Sequence, residues 1–105
     1  MKKTLIYSLT LFRDQSKFLK QAYELSDNEL WHIRNSLPER IKSSLSDEGV
    51  RAFWFLCMLY DKHRTTFFPS PYKALWNISR DNFNLGSERD DVVDAVLNRV
   101  TIYGI

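Results

Sequence analysis

Apolar positions recur every three or four residues along most of this chain, the spacing of one face of an α-helix. The most apolar stretch is residues 52–60, where no polar side chain interrupts the run. Ser46 and the two acidic residues that follow it precede this stretch, and both features favour the start of a helix. We therefore predict a central buried helix at about residues 47–62.

Helix-starting residues divide the rest of the chain into short helices. Ser26 and Glu29 have the spacing of a capping box, in which each side chain binds the other residue's backbone N–H. Further starts are predicted at Ser36 before Pro38, at Ser70 before Pro71, and at Ser87. The sequence thus predicts a mainly α fold: a compact bundle of five or six short helices around the central one, with residues 1–105 as a single domain.

The two ends of the chain give a mixed signal. Residues 4–12 fit a half-buried strand, but they also fit a helix with Leu5, Leu9 and Phe12 on one face. The last residues, 100–105, are rich in β-prone side chains. A small β pair between residues 4–11 and 100–105 is therefore kept open as an addition to the helical bundle.

The composition is that of a soluble globular protein, with 44% hydrophobic and 27% charged residues. The single cysteine excludes an intrachain disulfide and fits a reducing compartment. Lys2 and Lys3 precede a short apolar run, but polar residues interrupt it and no small-residue cleavage site follows, so we predict no secretory signal. No run reaches the ~18 apolar residues of a membrane span. We expect a cytoplasmic protein that does not contact a membrane.

The spacing of the candidate catalytic and metal-binding residues does not fit either role. Cys57 and His63 are six positions apart, which places them on different faces of a helix, and the apolar run predicts a buried, unreactive thiol. Glu29 and His32 have a Glu-x-x-His spacing, but a di-iron site needs a second such motif. Residues 81–92 lack the oxygen ligands of a calcium loop. We predict no catalytic residue, metal or cofactor.

Aromatic residues make up 14% of the chain, more than one small core holds. Some are therefore expected on the surface, where aromatic and arginine side chains are typical of protein interfaces. The segment after the central helix combines both kinds, and we predict partner-binding residues there: Lys62, Arg64, Phe67, Phe68 and Tyr72. Whether Phe67 and Phe68 lie in the core or on the surface stays open.

These features favour a non-enzymatic protein that binds another protein, as an inhibitor or a regulatory adaptor, and a homodimer is a further arrangement. The alternative is a nucleic-acid-binding protein that uses the basic and aromatic residues at 62–73. The net charge of +2 gives that alternative little support. A helix-turn-helix at 71–100 would also present an acidic helix to the phosphates. Protein binding is the main prediction, and the sequence does not identify the partner.

Overall fold

The structure, a computed structural model, describes the backbone of residues 2–104 and the side chains of residues 9–99. Within that range the chain forms six helices: α1 (Lys2–Glu24), α2 (Asp27–Asn35), α3 (Glu39–Lys42), α4 (Asp47–Phe67), α5 (Pro71–Asn82) and α6 (Glu88–Gly104). The radius of gyration of 13.5 Å is close to that expected of a compact chain of this length. The prediction of a compact, mainly α fold is confirmed.

Helix α4 lies at the centre and contacts α1, α2, α5 and α6. Its apolar run supplies the middle of the core, where Phe55, Leu56 and Leu59 are fully buried. Burial of each such side chain stabilises the fold by about 1.5–3 kcal/mol. The predicted central helix is confirmed and is longer than expected, because it continues to Phe67 through a kink at His63, whose backbone angles are φ −117° and ψ 31°.

Helix α1 runs antiparallel to α4, as two sets of contacts show. Near the start of α4, Arg51 Nη1 donates to the carbonyl oxygens of Ala22 and Leu25, at 2.6 and 3.2 Å. Near its end, His63 contacts Asp14. Lower residue numbers in α1 therefore lie beside higher numbers in α4. This register decides which surface residues lie at the same end of the molecule.

The start of α4 is also joined to the start of α6. Ser46 caps α4, because its Oγ accepts a hydrogen bond from the Gly49 amide at 3.0 Å. The Glu88 carboxylate then accepts from the Ser46 backbone N–H at 2.5 Å and from its hydroxyl at 2.8 Å. A Cβ at position 49 would lie 2.9 Å from Glu88 Oε1. Glycine at that position leaves room for this carboxylate.

The predicted capping residues differ in outcome. The capping box of Ser26 and Glu29 is present at the start of α2. Ser36 ends α2 instead of starting α3: its hydroxyl donates to the carbonyl of Ile33, and Pro38 stands at the cap of α3 without a side-chain hydrogen bond. Helix α5 begins at Pro71 as predicted, although the Ser70 side chain forms no cap hydrogen bond. Helix α6 begins directly after Ser87.

The terminal β pair is not formed. The backbone of residues 2–24 and of residues 88–104 is helical, and no strand occurs between residues 2 and 104. Extending an existing helix costs less than starting a new structure, because the nucleus is already formed. The β-branched residues near the C-terminus lower helix propensity only slightly. In the part of the chain that the structure describes, no helix has the length and hydropathy to cross a membrane.

Candidate interaction surface

The two phenylalanines at the end of α4 lie in opposite environments. Phe67 is 5% exposed, and its ring stacks on Tyr60 with the centroids 6.1 Å apart and the planes at 5°. Phe68, the next residue, is 78% exposed. The structure therefore places Phe67 in the core, out of reach of a partner, because its ring is covered by the chain's own side chains. Phe68 remains on the surface.

The two exposed cations of the predicted site, Lys62 and Arg64, already have acidic partners. Lys62 Nζ lies 3.0 Å from Asp14 Oδ2. Arg64 Nη2 lies 3.9 Å from Asp61 Oδ1, and its guanidinium is 5.4 Å from the centre of the Tyr60 ring. Both cations are about half exposed, so these pairs are weak and leave the side chains within reach of a ligand.

His63, which the sequence places in the middle of this basic segment, is buried. Its Nε2 lies 2.7 Å from Asp14 Oδ2, and both side chains are 7% exposed. Burial raises the pKa of the Asp14 carboxyl, but the hydrogen bonds and positive charges of His63 and Lys62 outweigh this effect, so that pKa is held below its usual value. The pair links α1 to α4. It removes His63 from any surface patch.

Asp14 is not among the residues predicted from the sequence, although the local pattern contains a signal for its burial. Asp14 precedes Phe18 by four residues and Ala22 by eight, so the three share one helical face, and that face packs against the core. An acidic residue on an apolar face needs a buried partner. The partner is 49 positions away in sequence, so the spacing within α1 shows the need without identifying His63.

Tyr72 lies in an acidic environment, apart from the cations with which it was grouped. Its hydroxyl donates to Asp90 Oδ1 at 3.1 Å, and the indole N–H of Trp76 donates to the same oxygen at 2.9 Å. Burial, the Asp90 hydrogen bond and the nearby negative charges of α6 raise the pKa of Tyr72 to about 12. A phosphate backbone placed here would meet acidic side chains. The predicted basic and aromatic patch at 62–73 is thus divided between two environments.

Cys57 is half buried in α4, so it is more exposed than the apolar run predicted. Burial raises the pKa of its thiol to about 12, so the sulfur stays protonated near neutral pH. Glu29 is held in its capping box, and His32 packs edge-on against the exposed Trp31. Among the described residues, no group of three or more His, Cys, Asp or Glu side chains could hold a metal ion.

A second set of exposed apolar residues lies on α1. Leu9 is 61% exposed and Phe12 is 70% exposed. Leu9 is nine residues before the buried Phe18, about 900° around the helix, and therefore faces away from the core. The helical interpretation of residues 4–12 had grouped Leu9 with Phe12. The uncertainty between strand and helix concealed that this face points to solvent.

Leu9, Phe12 and Phe68 lie at one end of the molecule, which we call the apolar end. Asp14 contacts His63, and the two helices are antiparallel. Leu9 and Phe12 precede Asp14 in α1, and Phe68 follows His63 just beyond the end of α4, so all three lie on the same side of this contact along the antiparallel pair. Each of the three side chains is more than half exposed.

The exposed side of α1 continues from the apolar end as a basic surface. Arg13, Lys17 and Lys20 are all exposed. None of the three forms an ion pair with another side chain in the described range 9–99. Apolar anchors next to unpaired cations can contact a surface that is apolar in the centre and acidic at its edge.

Comparison with family models, with curated proteins and with solved structures finds no match for this chain. The candidate surface therefore rests on its own geometry.

Proposed function

We propose that this chain is a non-enzymatic protein that binds another protein, as an inhibitor or a regulatory adaptor, and that the apolar end is its contact surface. The observation that carries the proposal is the exposure of Leu9, Phe12 and Phe68, between 61% and 78%, at one end of a molecule this small. Large apolar side chains exposed together are typical of interaction sites. Aromatic rings among them are the usual anchors of binding energy.

The charges around the apolar end favour an acidic partner. Arg13 and Lys17 follow Phe12 on the exposed side of α1, and Lys62 and Arg64 are half exposed near the end of α4. A partner surface with an apolar centre and carboxylates around it would complement this arrangement. Such complementarity increases the association rate and lowers affinity for wrongly charged surfaces.

Two further observations favour binding over catalysis. The imidazole of His63 is buried against Asp14, so it does not reach a substrate at the surface. The thiol of Cys57, with a pKa of about 12, is not ionised near neutral pH, and a cysteine nucleophile acts as the thiolate.

The test compares variants of exposed aromatic residues at different sites. Phe12→Ala combined with Phe68→Ala removes two anchors of the apolar end. Trp31→Ala is the matched control, because Trp31 is 59% exposed on α2. Tagged wild-type and variant proteins are used to capture partners from extracts of the source cell, and a captured protein is then purified and titrated against each. We expect the double variant to lose at least about tenfold in affinity, and the control to lose less than about twofold.

The contribution of the basic side chains to partner binding is tested in the same titration. Arg13→Glu is expected to lower the association rate and to reduce its dependence on salt, with little change in the dissociation rate. Melting temperatures of all variants should stay close to that of the wild type, because the changed side chains are exposed. Equal losses for the Phe12/Phe68 variant and for Trp31→Ala would contradict the proposed surface.

Two other occupants of the apolar end would also overturn the proposal. If the wild type forms a dimer in sedimentation that Phe12→Ala and Phe68→Ala dissociate, the surface is used by a second copy of the chain. If the wild type shifts nucleic-acid probes at ~0.15 M salt, and the affinity falls steeply as salt increases, the nucleic-acid alternative replaces protein binding.

A further inference from the structure

A pocket of about 320 Å³ opens between the α2–α3 connection, α4 and α6. Its apolar wall is formed by Leu37, Pro38, Phe53 and Ala95. This volume is at the lower end of the range for small-molecule sites in proteins, which are concave, mostly apolar and lined by a few polar groups. The pocket lies outside the residues that form the apolar end.

The polar side of the pocket is formed by Ser36, Asn98 and Arg99. Arg99 Nη2 binds Asp61 Oδ1 at 2.7 Å, and that carboxylate also faces Arg64 at 3.9 Å. The cluster of Arg64, Asp61 and Arg99 therefore has a net charge of +1, and Arg99 is the member of the cluster that lines the pocket. The Arg99 side chain is 27% exposed, so part of it lies within reach of a ligand in the pocket.

We propose that this pocket binds a small organic anion, specifically a carboxylic acid with an aliphatic or aromatic body of about ten non-hydrogen atoms. The apolar body packs against Phe53 and Leu37, and the carboxylate lies on the side of Asn98 and Arg99. A charge-assisted hydrogen bond from a guanidinium is roughly twice as strong as one between neutral groups. The anion is therefore preferred over a neutral molecule of the same shape.

Nuclear magnetic resonance titration of the full chain tests this site with defined probes. The probes are octanoate and 3-phenylpropionate, and the neutral controls are the corresponding alcohols. We expect saturable shifts of the amide signals around Phe53, Ala95 and Asn98, and about tenfold tighter binding of each acid than of its alcohol. Absence of saturable shifts at these residues, or equal affinity for acid and alcohol, would overturn the proposal.

Two variants separate the charge from the shape of the pocket. Arg99→Gln removes the cation and is expected to make acid and alcohol bind equally, while Arg80→Gln, an exposed cation on α5, should leave the preference unchanged. Asn98→Phe places a ring at the exposed edge of the pocket and should abolish binding of acid and alcohol alike. Because Asn98 is exposed, this variant is expected to fold even if Arg99→Gln does not. Octanoate affinity unaffected by Asn98→Phe would place the ligand elsewhere and contradict the site.

Discussion

At the scale of single residues, neighbouring side chains of the same type have opposite roles. Phe67 completes the core against Tyr60, and Phe68 is the most exposed large apolar side chain of the described range. His63 is buried between two exposed cations, Lys62 and Arg64. Both differences lie where α4 departs from regular helix, because His63 has non-helical backbone angles and Phe68, just beyond the last helical residue, is extended.

The two phenylalanines should differ strongly in their contribution to stability. Phe67→Ala removes a buried, stacked ring and leaves a cavity, so we expect the free energy of unfolding to fall by about 3–5 kcal/mol. Phe68→Ala changes an exposed ring and should alter it by less than about 0.5 kcal/mol. Urea denaturation followed by circular dichroism measures both. Similar losses for the two variants would show that the assignment of core and surface is wrong.

Asp14 should control the stability of the protein in acid. Because its pKa in the folded state is below the ordinary value of 3.8, the folded state binds fewer protons than the unfolded state. The stabilisation is therefore fully present above about pH 4 and is lost as the pH falls through the folded-state pKa. Asp14→Asn should lower the free energy of unfolding at pH 7 by about 1–3 kcal/mol and should flatten its decrease in acid.

The matched control for this acid dependence is Asp94→Asn. Asp94 is exposed on α6 and forms no ion pair within the described range. Denaturation curves measured from pH 2 to pH 7 should be nearly the same for this variant and the wild type. If the free energy of unfolding of Asp14→Asn instead decreases in parallel with that of the wild type as the pH falls, the contact between Asp14 and His63 does not cause the loss of stability in acid.

At the scale of helices, similar sequence motifs at the helix starts form different hydrogen bonds. Ser26 and Ser46 cap α2 and α4 with side-chain hydrogen bonds, and Glu88 of α6 binds the Ser46 cap in turn. Ser70 has the same local signature before Pro71 but forms no cap hydrogen bond. The sequence motif predicts where a helix begins. It does not predict which side chain stabilises that beginning.

The difference between the two serines gives a direct test. Ser46→Ala removes the cap of α4 and one hydrogen bond to the Glu88 carboxylate, so we expect the free energy of unfolding to fall by about 2 kcal/mol. Ser70→Ala should change it by less than about 0.5 kcal/mol. Thermal denaturation of the two variants at one pH measures the difference. A larger loss for Ser70→Ala than for Ser46→Ala would refute this account of the two helix starts.

At the scale of the whole molecule, the basic segments keep their positive charge because their acids are few. Asp14 is the one acidic residue among residues 1–20, and Asp61 is the one among residues 49–80. Each of them contacts two basic side chains, Lys62 and His63 for Asp14, and Arg64 and Arg99 for Asp61. The exposed cations of α1, Arg13, Lys17 and Lys20, form no ion pair within residues 9–99.

Much of the fold could be predicted from local patterns. The apolar run at 52–60 predicted the central helix, because an uninterrupted apolar surface must be covered on all sides. The capping box at Ser26 located the start of α2. These signals lie within a few residues of one another, so they do not depend on how the helices pack.

The candidate surface was less accessible from sequence, because exposure depends on tertiary packing. The excess of aromatic residues predicted that some would be exposed, and Phe68 is one of them. Phe67 and Tyr72 were assigned to the same patch, but the first packs on Tyr60 and the second bonds to Asp90. Those partners come from packing that local spacing does not specify.

The contact between Asp14 and His63 has a consequence for how this sequence can change over time. Losing one member of a buried pair leaves the other without a partner, which costs far more than replacing both together by apolar side chains. Any lineage that keeps this fold should therefore change positions 14 and 63 together. In an alignment of relatives the two columns should covary, while position 68, which no core contact constrains, should vary independently of them.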